Sequence, residues 1–319
     1  ERAVHRMHGA QQGVIHLRHV TPGPCVEHGQ VAVDLGVEDF QQQCIHCGRY
    51  PLAIIVDGRG GIERVDADGL VPVVPVTYMN SSAAIKAFTG RNGGTICTSS
   101  NARTALTWAF EQTGGLDGEG KVLFLPDQHL GRNTWARDLG RDLDDCVVWD
   151  PHQPRGGLTV EQIRDARMIL WRGHCSVHGR FTVDAVETAR REIPGVKVIV
   201  HPECRHEVVE LADEVGSTES IIKTVAAAPA GTKWVVGTEL NLVQRLGQMF
   251  PDQEISFLEK NVCYCSTMNR IDLPHLVWAL ESLVEGRVVN PITVDPDVAH
   301  WAKVALDQML ALPGETSKD

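Results

Sequence analysis

The chain has 319 residues, 43% hydrophobic and 22% charged, which is long and apolar enough to bury a sizeable core. This composition excludes intrinsic disorder for most of the chain, and no run of about 18 apolar residues predicts a span across a membrane. The 30 basic and 41 acidic residues give a net charge of −11, which argues against nucleic acid as the main partner. No apolar signal segment is found at the start, so we expect a cytoplasmic protein.

The cysteines are odd in number and irregular in spacing. This pattern predicts reduced thiols, some of them metal ligands, rather than a disulfide framework. The nine are Cys25, Cys44, Cys47, Cys97, Cys146, Cys175, Cys204, Cys263 and Cys265.

The chain changes character near Asp66. Before it, helical periodicity is weak, and the candidate strands are the short apolar runs at residues 31–33 and 53–56. After it, apolar strands alternate with amphipathic helices. The predicted strands lie at residues 71–77, 95–96, 121–125, 168–171, 196–200 and 233–236. Six strand–loop–helix units predict an α/β fold with parallel sheets covered by helices.

Each predicted strand ends in a polar loop that carries Ser, Asn, Gly, His or Cys. Ligands bind at the carboxyl ends of strands in open parallel sheets, so these loops are candidate binding segments. The alternative is that the same residues only cap helices and turn the chain. The presence of His, Glu, Cys and Tyr across the loops favours a functional site.

Two of these loops carry reactive side chains. His201 and Glu203 lie two residues apart and suit general acid–base work, although a surface His–Glu pair is the alternative. Cys175 stands between a strand and a helix, where helix N–H groups favour a thiolate; the alternative is a buried thiol. The Cys-x-Cys at residues 263–265 and the Cys-x-x-Cys at residues 44–47 are weak metal motifs, and neither favours a zinc ribbon.

Six short motifs follow one another in the second region. They are residues 78–87 (YMNSSAAIKA), 97–102 (CTSSNA), 126–133 (PDQHLGRN), 201–203 (HPE), 216–218 (GST) and 237–239 (GTE). In this order they resemble the quinolinate synthase family, over about four fifths of the chain from Asp66 onward.

The resemblance implies a fold, a reaction and a cofactor. It implies three similar αβα domains in pseudo-threefold arrangement, with an incomplete or divergent first domain. The boundaries expected are 1–70, 71–172 and 173–289, followed by a C-terminal helical segment at 290–319. The implied reaction condenses iminosuccinate with dihydroxyacetone phosphate to quinolinate, phosphate and water in NAD biosynthesis. L-aspartate oxidase is the implied functional partner. A [4Fe–4S] cluster is implied too, with one cysteine from each domain and one iron open as a Lewis acid.

The family's functional residues map onto the matching motifs. Cys175 and Cys265 resemble the cluster ligands of the second and third domains. The implied catalytic residues are Tyr78, His201 and Glu203. The implied substrate-binding residues are Tyr78, Met79, Asn80, Ser99, His201, Pro202, Glu203, Ser217 and Thr218.

The region before Asp66 lacks the family's first-domain motifs. It is either a divergent domain or the product of a shifted reading frame. The first-domain ligand is therefore unassigned, with Cys25, Cys44 and Cys47 as the available cysteines. Two alternatives to an active synthase follow: an inactive remnant without a stable cluster, and another metal-dependent hydro-lyase.

Overall fold

The computed structural model describes strands at residues 31–34, 53–56 and 62–66, and then residues 69–259, 265, 268 and 271–313. Within these residues the chain forms two β-sheets and ten α-helices, which confirms the predicted α/β class with αβα layers. Most of the predicted first domain, residues 1–70, lies outside the described residues.

The first sheet has eight strands. They are β1 (Val31–Asp34), β2 (Ala53–Val56), β3 (Ile62–Asp66), β4 (Gly69–Tyr78), β5 (Thr95–Cys97), β6 (Lys121–Leu125), β7 (Cys146–Trp149) and β8 (Met168–Trp171). The order is β1-β2-β3-β4-β6-β8-β7, with β5 also paired to β4. Strands β1 to β4 are antiparallel, whereas β4 to β8 are parallel. The early part of β4 pairs with β3 and its end pairs with β5.

Four helices cover the parallel part of this sheet. They are α1 (Ala83–Arg91), α2 (Ala102–Glu111), α3 (Gln128–Asn133) and α4 (Val160–Asp165). Helix α1 begins where the Ser82 hydroxyl accepts a hydrogen bond from the backbone N–H of Ile85. Gly131 lets α3 lie close to the sheet, because a Cβ there would be 2.7 Å from the Phe124 ring.

The second sheet has four parallel strands. They are β9 (Lys197–Val200), β10 (Glu214–Val215), β11 (Lys233–Gly237) and β12 (Glu254–Phe257), in the order β10-β9-β11-β12. Its helices are α5 (Val183–Glu192), α6 (His206–Leu211), α7 (Thr218–Ala227) and α8 (Leu240–Met249). The β-branched run Val198, Ile199 and Val200 is almost fully buried, as expected for a central parallel strand.

Two further helices follow, α9 (Leu273–Val284) and α10 (Pro296–Ala311). Helix α10 returns to the first sheet, where Ala305 and Met309 pack with Ile96 of β5. It crosses α1 so closely that a Cβ on Gly90 would lie 2.0 Å from the Trp301 carbonyl oxygen. Among the described helices, none has the length and apolar character needed to cross a membrane.

In both sheets, the parallel strand that comes first in the sequence lies between the two parallel strands that follow it in the sequence. The order β5-β4-β6 in the first sheet matches β10-β9-β11 in the second. The second of these strands is therefore added on one side of the first strand, and the third is added on the opposite side. This reversal opens a crevice at the carboxyl ends of β4 and β6, and another at the ends of β9 and β11.

Candidate active site

A cavity of about 880 Å³ is lined by residues from both crevices. Tyr78, Asp127 and Cys175 come from the first sheet and the loops after it. His201 and Glu203 follow β9 of the second sheet. The site therefore depends on how the two sheets face each other.

Tyr78, the last residue of β4, meets the second sheet at Glu203. Its hydroxyl donates a hydrogen bond to Glu203 Oε2 over 3.4 Å. Burial raises the pKa of Tyr78 well above its ordinary value, and the Glu203 and Asp127 carboxylates raise it further, against a hydrogen bond to Ser99. Tyr78 is therefore a neutral proton donor at this position.

Glu203 is buried, with 5% of its surface exposed, and has a histidine on each side. Its Oε2 lies 3.2 Å from His178 Nδ1. Burial alone would raise the pKa of Glu203, but His178, His201 and the Tyr78 hydroxyl together hold it below its ordinary value. The carboxylate is therefore ionised and able to accept a proton.

His178 is the cationic partner of this carboxylate. Burial would lower its pKa, but Glu203 first and Cys175 next raise it well above the ordinary value. The contact between Nδ1 and Glu203 is an ion pair inside the protein. On the other side of the ring, Nε2 lies 3.2 Å from the Thr238 hydroxyl. His178 thus forms an imidazolium–carboxylate pair inside the protein.

His201 is neutral although its Nδ1 also lies 3.2 Å from Glu203 Oε2. This nitrogen accepts a hydrogen bond from the Glu203 backbone N–H over 3.3 Å, so it carries no proton. The ring stacks on His178, with centroids 4.4 Å apart. Burial, and then the neighbouring His178 charge, lower the pKa of His201 to about 3.

Cys175 stands beside this cluster. Its backbone N–H donates to Asp127 Oδ2 over 2.9 Å. Ligand atoms of Cys175, His178 and Glu203 all lie within 4.8 Å of one another, a grouping that could hold a metal ion. Burial, and then Glu203, raise the pKa of Asp127 to about 8.

The predicted site residues separate into two groups. The cavity is lined by Tyr78, Met79, Asn80, Ser99, His201, Glu203 and Thr218, and by Cys175 and Cys265. Two predicted residues, Pro202 and Ser217, do not line the cavity. Ser217 caps α7 by accepting from the Ser220 N–H, and the Pro202 carbonyl accepts from Asn133. The functional role of each remains a prediction.

The remaining cysteines differ from Cys175 and Cys265 in placement. Cys97 and Cys204 are buried, and burial raises both thiol pKa values well above the ordinary range. Burial also raises the pKa of Cys146, on strand β7, to about 12. The candidates Cys25, Cys44 and Cys47, together with Cys263, lie outside the described residues.

The structure adds cavity residues that were not predicted from the sequence: Asp127, His178, Thr238 and Arg245. His178 and Thr238 lie in polar loops that follow β8 and β11, and Asp127 in the loop that follows β6. Their position at strand ends was the available signal. Arg245 lies on α8, where nothing in the sequence distinguishes it from other surface arginines.

Comparison with known proteins agrees with the motif order. A family model described as Quinolinate synthetase A protein matches residues 61–311. The chain belongs to the quinolinate synthase family. It is 68% identical over 247 residues to the quinolinate synthase of a Nocardioides species, covering 77% of this chain and 63% of that relative. For the Streptomyces coelicolor enzyme the identity is 69% over 243 residues, covering 76% and 60%. The Rhodopirellula baltica enzyme is 54% identical over 241 residues, covering 75% and 60%.

These matches confirm the family predicted from the motifs. The chain spans about three fifths of the length of the curated quinolinate synthases that it matches. The match to the family model begins at residue 61, close to the change of character near Asp66.

The implied iron–sulfur cluster can be tested against the donor set of this quinolinate synthase family member. Cysteine thiolates hold such clusters, and Cys175 and Cys265 are free thiols that line the same cavity. The described residues thus fit two of the three expected ligands. The third would come from a cysteine outside them.

Proposed function

We propose that this protein is a quinolinate synthase. It condenses iminosuccinate with dihydroxyacetone phosphate to quinolinate, phosphate and water in cytoplasmic NAD biosynthesis, with L-aspartate oxidase as its functional partner. The observation that carries this proposal is the buried cluster of Tyr78, His178, His201 and Glu203 beside Cys175. Ring closure with loss of water needs both proton acceptors and donors in one place, and this cluster supplies them.

Each member of the cluster has a distinct part in proton transfer. Glu203 is ionised and accepts a proton from the reacting carbon or nitrogen. The neutral Tyr78 hydroxyl donates its one proton to ionised Glu203, and it can turn this proton toward a leaving oxygen once Glu203 has accepted a proton from the substrate. Neutral His201 carries its proton on Nε2, from which it can transfer the proton, because Nδ1 accepts from the Glu203 N–H.

Anionic substrates are bound mainly by neutral donors. Asn80, Ser99 and Thr218 line the cavity and offer N–H and O–H groups to carboxylates and phosphate. Arg245 is the one lysine or arginine among the described residues of the cavity wall. It provides the positive charge that a phosphate or dicarboxylate needs in an acidic protein.

Cys175 and Cys265 would hold a [4Fe–4S] cluster, with the third ligand supplied by Cys25, Cys44 or Cys47. When bound, a cluster with one open iron supplies a Lewis acid for a substrate oxygen. The domain boundaries at residues 71–172 and 173–289 belong to the same proposal. They assign Cys175 and Cys265 to one predicted domain, although Cys175 stands directly after a strand of the first sheet.

Anaerobic reconstitution with iron and sulfide tests the proposal. The broad brown absorbance should disappear in Cys175→Ser and in Cys265→Ser, because a hydroxyl poorly replaces a soft thiolate. Cys146→Ser is the matched control and should keep it. Quinolinate formed from dihydroxyacetone phosphate and enzymatically generated iminosuccinate is then quantified by chromatography. A reconstituted chain with full cluster and no quinolinate would refute the proposed activity.

A second candidate rests on the grouping of Cys175, His178 and Glu203 within 4.8 Å. Sulfur, nitrogen and oxygen ligands together suit a single zinc ion, as in a metal-dependent hydro-lyase. Metal analysis separates the candidates. About one zinc without sulfide favours the hydro-lyase, iron with sulfide favours the synthase, and neither metal indicates an inactive remnant.

A further inference from the structure

The buried side-chain amide of a residue on helix α3, which packs on the first sheet, holds the loop that carries Glu203. Asn133, the last residue of α3, is 1% exposed. Its Nδ2 donates to the Pro202 carbonyl over 2.7 Å and to the Cys204 carbonyl over 2.8 Å. These two carbonyls flank Glu203 in the chain. Both amide protons of Asn133 therefore donate to backbone carbonyls on either side of Glu203.

The third polar contact of Asn133 extends the connection to the next helix. Its Oδ1 lies 2.9 Å from His206 Nδ1, at the first residue of α6. With all three contacts made, the amide has one hydrogen-bonding pattern and cannot rotate without losing them. A buried donor that loses its partner destabilises the folded state, so the contacts fix the orientation of the loop.

The loop is fixed from its own sheet at different atoms. The His201 N–H donates to the Gly237 carbonyl over 3.0 Å, and the Cys204 N–H donates to the His201 carbonyl over 3.0 Å. These bonds set the shape of the turn. They do not fix its distance from Tyr78, which belongs to the other sheet. Among the described contacts, Asn133 joins the loop backbone to the sheet that carries Tyr78.

We infer that Asn133 is a positioning residue that sets the separation between Glu203 and Tyr78 across the two sheets. It does not line the cavity and acts through the loop backbone. This inference rests on the proposed function for its effect on turnover. Its structural part, the restraint on residues 201–204, stands apart from that function.

The test compares Asn133→Asp, Asn133→Ser and Thr134→Val in the full chain with its cluster reconstituted. Asn133→Asp keeps the size of the side chain but turns an acceptor oxygen toward two carbonyls. Asn133→Ser is the milder variant in case the first does not fold. Thr134→Val is the matched control, because Thr134 is the adjacent residue, is equally buried and has a hydroxyl without a hydrogen-bond partner.

Both Asn133 variants should lower kcat by roughly 10²-fold, the range expected for a misplaced reacting group. KM for dihydroxyacetone phosphate should change by less than about threefold, and the cluster absorbance should remain. Amide hydrogen exchange in peptides covering residues 201–208 should accelerate by at least about tenfold. Thr134→Val should alter none of these quantities.

Three outcomes would overturn the inference. They are normal kcat in a folded Asn133→Ser, unchanged exchange at residues 201–208, and equal losses in Thr134→Val. If the wild-type chain forms no quinolinate, the proposed function fails separately. Hydrogen exchange then still decides whether Asn133 restrains the loop.

Discussion

The Asp127 carboxylate accepts a hydrogen bond from the backbone N–H of Cys175, with 2.9 Å between Oδ2 and N. Its other oxygen caps α3, accepting from the N–H groups of His129 and Leu130 at 2.8 Å each. One buried side chain therefore joins the loop after β6 to the loop after β8. The proposed cluster ligand is therefore held through its backbone.

Replacing Asp127 with alanine should separate these two loops. We expect a loss of stability of about 1 kcal/mol from the missing helix cap, together with a lower iron content after reconstitution. Asp295→Ala is the matched control, because Asp295 caps α10 through the N–H groups of Asp297 and Val298 and does not line the cavity. It should lose comparable stability and retain its iron. Equal iron loss in both variants would contradict a specific role for Asp127.

The Glu203→Gln variant tests the proton acceptor. Glutamine keeps the shape of the side chain but cannot accept a proton as a carboxylate does. We expect kcat to fall by roughly 10²-fold or more, as expected for a positioned acid–base group, with cluster content unchanged. Glu210→Gln, at an exposed position of α6, should behave like the wild type. Near-normal turnover in Glu203→Gln would limit Glu203 to binding or structure.

The lowered pKa of the partly buried His129 leads us to expect a loss of stability in mild acid. Burial first, and then the nearby Arg132, His174 and Arg205, lower its pKa to about 4, against Glu203. The unfolded chain binds this proton below about pH 6.5, whereas the folded chain binds it only near pH 4. Each pKa unit is worth about 1.4 kcal/mol, so stability should fall by a few kcal/mol across this window.

Urea unfolding of wild type and His129→Gln at pH 7.5, 6, 5 and about 4 measures this effect. The free energy of unfolding should fall less steeply in the variant as the pH decreases. The two curves should run parallel above about pH 7, where neither folded nor unfolded His129 is protonated. Parallel curves over the whole range would show that His129 does not contribute to acid sensitivity.

Gly90 should behave unlike an ordinary helical glycine. Alanine normally stabilises a helix interior by about 0.5–1 kcal/mol relative to glycine. At Gly90 the new Cβ would meet the Trp301 carbonyl oxygen of α10, so Gly90→Ala should instead destabilise by about 1–3 kcal/mol. A Cβ on Gly247 in α8 would have no atom beyond its own helix backbone within 4 Å, and Gly247→Ala should be neutral or stabilising. Thermal unfolding of both variants gives the comparison.

The sequence predicted the individual strands and residues of the site better than the contacts between them. Periodicity located six of the nine described parallel strands and missed β7, β10 and β12, and the motif order identified the family. His201 and Glu203 were predicted as acid–base residues two positions apart, and their side chains approach to 3.2 Å. The contact of Glu203 with Tyr78 joins residues 125 positions apart, and no local pattern encodes such a contact.

Other features were not predicted because their cause is tertiary. His178 becomes an imidazolium only because Glu203 and Cys175 surround it after folding. Asn133 looks like an ordinary helix-end residue until its amide meets the carbonyls of Pro202 and Cys204. The return of α10 to β5 is equally invisible in the local sequence, because its amphipathic face fits many partners.

That return of α10 has a consequence for synthesis on the ribosome. Residues 69–171 are translated before the second sheet, yet the apolar surface of α1 and β5 is covered by residues 296–311, which are translated after the second sheet. The first sheet must wait, partly uncovered, while the whole second sheet is made. Domains usually fold in the order of their translation. Of the two described sheets, the one translated first is completed only after the other, and chaperone demand should be greatest in that interval.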